Sequence, residues 1–177
     1  MENIIAFLLK ASELKKLKRA GWVRQGIPNP ESVADHSFMT ALLAYSVSDE
    51  LAVNKEKLIT MALIHDLAES ITGDITPHDE NWKTKHEEEE KAMQQLAAML
   101  GKPEILEVWQ ELEEGKTAEA QLVHELDKME MALQAFDYEK EHKINLDEFW
   151  SNTDQYIKNN IIRQIFESLK KERKWKK

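Results

Sequence analysis

Apolar residues recur at three- and four-residue spacing along most of this chain, interrupted chiefly by the loops GWVRQGIPNPES and SITGDITPHDEN. Only five Gly and four Pro punctuate 177 residues. Each would be costly inside a helix, so their scarcity, with abundant Glu, Lys, Leu and Ala, favours long helices joined by short loops. No segment alternates apolar and polar residues as a strand would, and no internal repeat stands out. The expectation is an all-α chain, a compact bundle of six or seven helices. Its length suits one domain, residues 1–177, with a sizeable core. The residues that carry chemistry should lie within about 30–135, followed by a C-terminal helical region at 145–171 and a basic tail.

Helices are expected over about 2–20, 32–51, 55–70, 84–100, 103–114, 117–136 and 145–171. Ile4, Ile5, Leu8, Leu9, Leu14 and Leu17 form a helical stripe in the first. Ser32 should cap the second, with Val33, Met39, Leu42 and Leu43 turned inward. The third, containing LITMALIHDLA, is apolar on nearly every side and should be central. Glutamates crowd the start of the fourth, where the helix dipole favours them, and Gly101 and Pro103 separate it from the fifth. Leu122, Leu126, Met129, Leu133 and Phe136 mark the core face of the sixth. Asn145 and Glu148 have the spacing of a capping box for the last.

Composition removes several classes of function. The chain has no Cys, which excludes disulfides and thiolate metal sites, so any metal must be held by His and carboxylates. Such ligands suit Mn, Co, Mg, Zn, Ni or Fe. A formal net charge of −9 argues against broad binding of nucleic acid backbones. The basic end KKERKWKK, with Trp175, reads as a solvated helix terminus. The N-terminus lacks the basic segment and cleavage site of a signal peptide, and no apolar run approaches bilayer length. A soluble, cytoplasmic protein with no membrane partner is expected.

Within the apolar third helix, His65 and Asp66 are out of place. A buried carboxylate without a partner is costly, so Asp66 needs a cation or several donors. Glu69 follows one turn after His65. His36 lies near the start of the second helix, and Asp127 interrupts the apolar stripe of VHELDKMEMALQAF. Two imidazoles and two carboxylates on three helices would make a competent shell for one divalent ion, with positions left for water and substrate. The bland alternatives are a hydrogen-bonded core histidine and a boundary carboxylate, Asp127, paired with Lys128.

The ordered set His36, His65, Asp66, Asp127 in a Cys-free helical chain resembles the HD-domain superfamily of metal-dependent phosphohydrolases. More narrowly, PESVADHS, LIHDLAESITGDITP and ELDKMEMALQA resemble its 5′-deoxynucleotidase branch, the YfbR-like and HD-domain-containing protein 2-like group. The resemblance spans about residues 5–140. It implies a homodimeric helical enzyme that hydrolyses deoxyribonucleoside 5′-monophosphates to deoxyribonucleosides and phosphate. It implies one divalent metal per chain on His36, His65, Asp66 and Asp127, with Glu69 and Asp74 as the catalytic acids. It also implies a role for Trp22, fourteen residues before His36, against the deoxyribose. Bacterial members carry Arg just before that Trp, whereas this chain has Gly21. Phosphate binding would then pass to Arg24, with Arg19 as second choice.

The mechanism implied is in-line attack of a water on a phosphate polarised by the metal. Glu69 would handle the water proton, and Asp74 would protonate the departing 5′ oxygen, or the two roles would be exchanged. Other readings are an HD phosphohydrolase acting on a triphosphate or cyclic nucleotide, or a non-catalytic metal-binding helical module. A di-iron oxygenase would need further His ligands, and His78 and His86 look solvent-facing. His124 and His142 are taken as surface or boundary residues.

Overall fold

The computed structural model describes residues 2–173, so the end of the basic tail, with Trp175, lies outside the described residues. Among the described residues ten α-helices follow one another: α1 (Glu2–Ala11), α2 (Ala20–Arg24), α3 (Val33–Val47), α4 (Lys55–Ile64), α5 (Glu69–Thr72), α6 (Lys85–Leu100), α7 (Glu104–Glu114), α8 (Ala118–His142), α9 (Asp147–Tyr156) and α10 (Asn160–Glu172). Short 3-10 turns fill Ser12–Lys15, Ser48–Glu50 and Glu80–Thr84. The chain is all-α, as expected. The helix number exceeds six or seven because the expected helices over 55–70 and 145–171 are each broken in two, and α2 forms in GWVRQGIPNPES, a Gly- and Pro-rich stretch that reads as a loop.

Helix α8 is the axis. At 25 residues it packs against α3, α4, α7, α9 and α10. Its buried face presents Leu126, Met129, Ala132 and Ala135 to Ala44 and Val47 of α3, Leu58 and Met61 of α4, and Trp150, Ile162 and Phe166 further along the chain. A second core gathers Leu14, Val33, Ile64, Leu67, Met93, Leu96 and Trp109 beneath α6 and α7. Side-chain caps set the helix starts. Ser32 and Asp35 form a reciprocal capping box at α3, and Asn54, Thr117 and Asn159 accept from the first turns of α4, α8 and α10.

Several expectations are corrected. The single helix over 55–70 ends at Ile64, and bonds between residues three apart (Leu67 N to Ile64 O at 3.0 Å, Glu69 N to Asp66 O at 3.1 Å) wind the chain more tightly until α5. Each residue there turns by about 120° instead of about 100°, which re-aims His65 and Asp66. Glu69 therefore starts a new element and does not share a helix face with His65. The first helix stops at Ala11, and the last divides at Ile157. Asn145 does not join a capping box with Glu148; its carboxamide meets Asp147.

Leu42 points outward with Phe38 and Tyr45, and Ile4, Ile5, Leu8 and Leu9 of α1 are also exposed. The C-terminal helix is tied down by Glu139, wholly buried on α8, which accepts two bonds from Arg173 at 2.7 and 2.8 Å and one from the Leu146 amide. No described helix is long and apolar enough to cross a membrane.

Glu89 on α6 is buried, and burial lifts its carboxyl to about 7 while Lys85 opposes and Glu113 adds to the rise. Unfolded, the same group titrates near 4.5, so the fold loses stability as pH climbs from about 4.5 through about 7. Glu89→Gln should therefore gain about 2 kcal/mol over the wild type at pH 8 and little at pH 5. Thermal unfolding of both proteins at the two pH values checks this, and a pH-independent difference would contradict it.

Candidate metal and phosphate site

Three parts of the fold meet between α3, α4 and α8. His36 projects from the first turns of α3, wholly buried. His65 and Asp66 come from the tight turn after α4, and Asp127 from the middle of α8. His65 and Asp127 offer ligand atoms that, with one from His36, lie within 4.8 Å of one another, a group that could hold a metal ion. His36 Nε2 is 3.1 Å from His65 Nε2, 3.1 Å from Asp127 Oδ1 and 3.7 Å from Asp66 Oδ2. Asp66 Oδ2 is also 3.2 Å from His65 Nε2. All four residues singled out as ligands are thus brought together.

The outer ring nitrogens explain why this group fits a metal. His65 Nδ1 is 2.8 Å from the Ala62 carbonyl, and His36 Nδ1 is 2.5 Å from Glu130 Oε2. Both acceptors require a proton on Nδ1, so each neutral ring turns the lone pair of its Nε2 inward. Two lone pairs and two carboxylates then face one hollow, an arrangement that needs a cation. In the metal-free protein a proton serves. Burial and the Arg19 guanidinium oppose protonation of His36, yet Asp127 and Glu130 outweigh them and raise its pKa to about 9. Burial works against the Asp66 anion too, but His65, Arg19 and His36 hold its carboxyl far below the usual range. Asp127 is likewise held low against burial, by Lys128 and His36.

A cavity of about 660 Å³ opens onto this group and is lined by Arg19, Trp22, Arg24, Asp66, Glu69, Asp74, Lys85 and Asp127 among others. Arg19 Nη1 donates to Asp66 Oδ2 at 3.0 Å, and Nη2 lies 3.9 Å from Asp127 Oδ1. Arg24 stands at the rim, bonded to Thr76 Oγ1 at 2.9 Å and 3.6 Å from Asp79. Asp74 follows Gly73, whose φ of +83° turns the chain sharply out of α5, and accepts from the Ala20 amide at 2.7 Å. Glu69 is buried, with one oxygen 3.4 Å from Lys85 Nζ while Oε2 has no hydrogen-bond partner among the described residues. Burial first, and then the charges of Asp66 and Asp74, push its carboxyl well above the ordinary range.

Trp22 is only 2% exposed. It stacks on Phe149 with ring centres 4.3 Å apart, meets Tyr138 edge-on, and donates from Nε1 to Glu31 at 2.7 Å. His86 is exposed near Glu113, His78 is exposed at the cavity rim, and neither belongs to a group of candidate metal ligands among the described residues.

Three polar residues escaped the sequence reasoning: Lys85, Glu31 and Glu130. Lys85 sat in a charged run that reads as solvated surface. Glu130 had a usable signal, being one helical turn after Asp127 on the same apolar face. Glu31 had none beyond its place in the PESVADHS block.

Because His36 holds its proton up to about pH 9, metal uptake at pH 7 must expel it. Calorimetric titration in buffers of different ionisation enthalpy should record about one proton released per metal. Apparent affinity should rise about tenfold per pH unit until about pH 9 and then level off. Uptake without proton release would contradict this ionisation scheme.

A family model described as HD domain matches residues 11–170. The 5′-deoxynucleotidase HDDC2 of Dictyostelium discoideum is 39% identical, over 98% of this chain and 100% of that protein. The human protein of the same name is also 39% identical, over 97% of this chain and 86% of its own length. Among solved structures, a conserved hypothetical protein from Pyrococcus furiosus superposes with a TM-score of 0.84 at 35% identity, covering 94% of this chain and 99% of that one. With the paired histidines and aspartates already in one hollow, these matches establish that the chain belongs to the HD-domain family.

Proposed function

We propose that this chain is a metal-dependent 5′-deoxynucleotidase, hydrolysing deoxyribonucleoside 5′-monophosphates to deoxyribonucleosides and inorganic phosphate. The observation that carries this reading is one cavity lined by Asp66 and Asp127 of the His/Asp group, by Arg19 and by Glu69, whose buried Oε2 has no hydrogen-bond partner among the described residues. Relatives named 5′-deoxynucleotidase, matched over nearly the whole chain, support it.

His36, His65, Asp66 and Asp127 would hold one divalent ion, of the set Mn, Co, Mg, Zn, Ni or Fe. When bound, such an ion supplies Lewis-acid chemistry: neutralisation of phosphate charge and a lowered pKa for nearby water. Arg19 binds phosphate oxygens in this reading, ahead of Arg24. Its guanidinium already lies inside the acidic group, whereas Arg24 stands further out, at the rim beside Thr76 and Asp79. Glu69 and Asp74 divide the two proton transfers, one accepting from the attacking water and the other donating to the 5′ oxygen as its bond to phosphorus breaks. Trp22, fixed by Glu31, Phe149 and Tyr138, forms a rigid wall suited to exclude a 2′-hydroxyl.

The reading takes residues 1–177 as one domain, working in the cytoplasm as a homodimer. Supporting the dimer, Phe38, Leu42 and Tyr45 make a one-sided exposed apolar stripe on α3. Leu42→Asp should shift the protein to monomer in light scattering; an unchanged mass would remove this face from the interface.

Phosphate release from matched panels of deoxy- and ribonucleoside 5′-monophosphates, with metal-stripped protein resupplied with each metal in turn, tests the activity. Metal-dependent release favouring the deoxy panel is expected, and equal rates would remove the sugar-filtering role of Trp22. Release from neither panel would reject the activity. Glu69→Gln should lower turnover by about 10²–10⁴-fold with the metal retained. Loss of metal from that variant would make Glu69 a ligand instead.

A further inference from the structure

The two imidazoles of the site are held from behind by different chemistry. The outer nitrogen of His65 meets a neutral backbone carbonyl, that of Ala62. The outer nitrogen of His36 meets the carboxylate of Glu130, a residue 1% exposed, at 2.5 Å. Glu130 is on α8 three residues after Asp127, so one helical turn carries both a candidate ligand and the group behind another ligand.

A buried carboxylate that served packing alone would be expected to face a cation or several donors. Glu130 faces His36, and on its other side a carboxylate oxygen of Glu31 lies within 4.8 Å of both. Two acidic groups thus crowd one edge of an imidazole. Compensating positive charge has to come from the far edge of that ring, where Nε2 meets Asp127 and His65. The backing raises the donor strength of Nε2 and holds the ring plane, the general effect of carboxylates behind metal-binding histidines.

We propose that Glu130 is a positioning residue for the metal centre, accepting the Nδ1 proton of His36 and thereby fixing Nε2 toward the other ligands. The proposal rests on the metal-centre reading given above. It makes His36, rather than His65, the imidazole whose alignment is enforced by buried charge. Glu31 extends the same device to the cavity wall, since its carboxylate also receives the Trp22 indole and its backbone amide donates to the Tyr138 hydroxyl at 2.7 Å.

The test is zinc affinity, measured without substrate by competition with a chromophoric chelator. Wild-type protein, Glu130→Ala and Glu130→Gln are compared, with far-ultraviolet circular dichroism of each metal-free form recording that it is folded. Glu130→Ala should bind zinc about 10–100-fold more weakly. Glu130→Gln, whose amide oxygen can still accept from Nδ1, should recover most of that loss. Affinity unchanged in a folded Glu130→Ala protein, or a Gln variant as weak as Ala, would overturn the proposal and leave the metal centre standing.

A wild-type protein that does not bind zinc would overturn the metal-centre reading and this proposal with it. Should Glu130→Ala fail to fold, imidazole ¹⁵N spectra of zinc-loaded wild type decide the question. A protonated Nδ1 and metal-bound Nε2 on His36 are expected, and the reverse assignment would overturn the proposal.

Discussion

Two imidazole nitrogens face each other 3.1 Å apart in the interior of this molecule, and that approach is tolerable only with a proton or a metal ion to share. Most of the surrounding architecture follows from the need to hold that contact. The capping box of Ser32 and Asp35 fixes where α3 begins, and so where His36 projects. The tight turn after Ile64 delivers His65 and Asp66 to the same hollow from an otherwise apolar helix. Helix α8 supplies Asp127 beside His36 and Glu130 behind it, on a face whose remaining residues are core. Apolar packing of α3, α4 and α8 therefore carries a second task, which is to keep charged groups in register where water cannot screen them.

That arrangement also resolves an electrostatic difficulty. A chain with a formal charge of −9 should repel a dianionic phosphate. Its cavity counters this locally, with Arg19, Arg24, Lys85 and Lys128 lining the same space as the acidic groups. These cations are partly engaged by carboxylates, which places them without spending them entirely. Lys85 shows the pattern: it bonds the Ile75 carbonyl at 3.2 Å and approaches Glu69 and Glu89 at 3.4 Å each, contacts long enough to be exchanged.

Much of this was legible in the sequence, for identifiable reasons. Scarce breakers and regular apolar spacing specify helices, and His65 beside Asp66 in an apolar helix, with His36 and Asp127 on two others, points to a site where a lone buried His would not. What escaped was governed by short-range geometry. No periodicity announces that residues 65–68 wind with three-residue bonds, because the same apolar letters suit either winding. Outward-facing Leu42 was misassigned because an apolar side chain reads as core whether its partner is the same chain or another surface. Nearness to Trp22 in sequence ranks Arg24 ahead of Arg19, and spacing cannot show that Arg19 reaches Asp66 across the fold while both line one cavity. Glu130 and Lys85 were passed over because a carboxylate or an amine on a helix is usually surface, and only the packing reveals which ones are enclosed.

Anomalous diffraction from crystals of this protein grown with Mn²⁺ decides whether the His/Asp hollow holds a metal ion. One manganese peak per chain is expected, in the hollow between His36 Nε2, His65 Nε2 and carboxylate oxygens of Asp66 and Asp127. A peak between Glu31 and Glu130, on the opposite edge of the His36 ring, or no peak in the hollow at all, would contradict it.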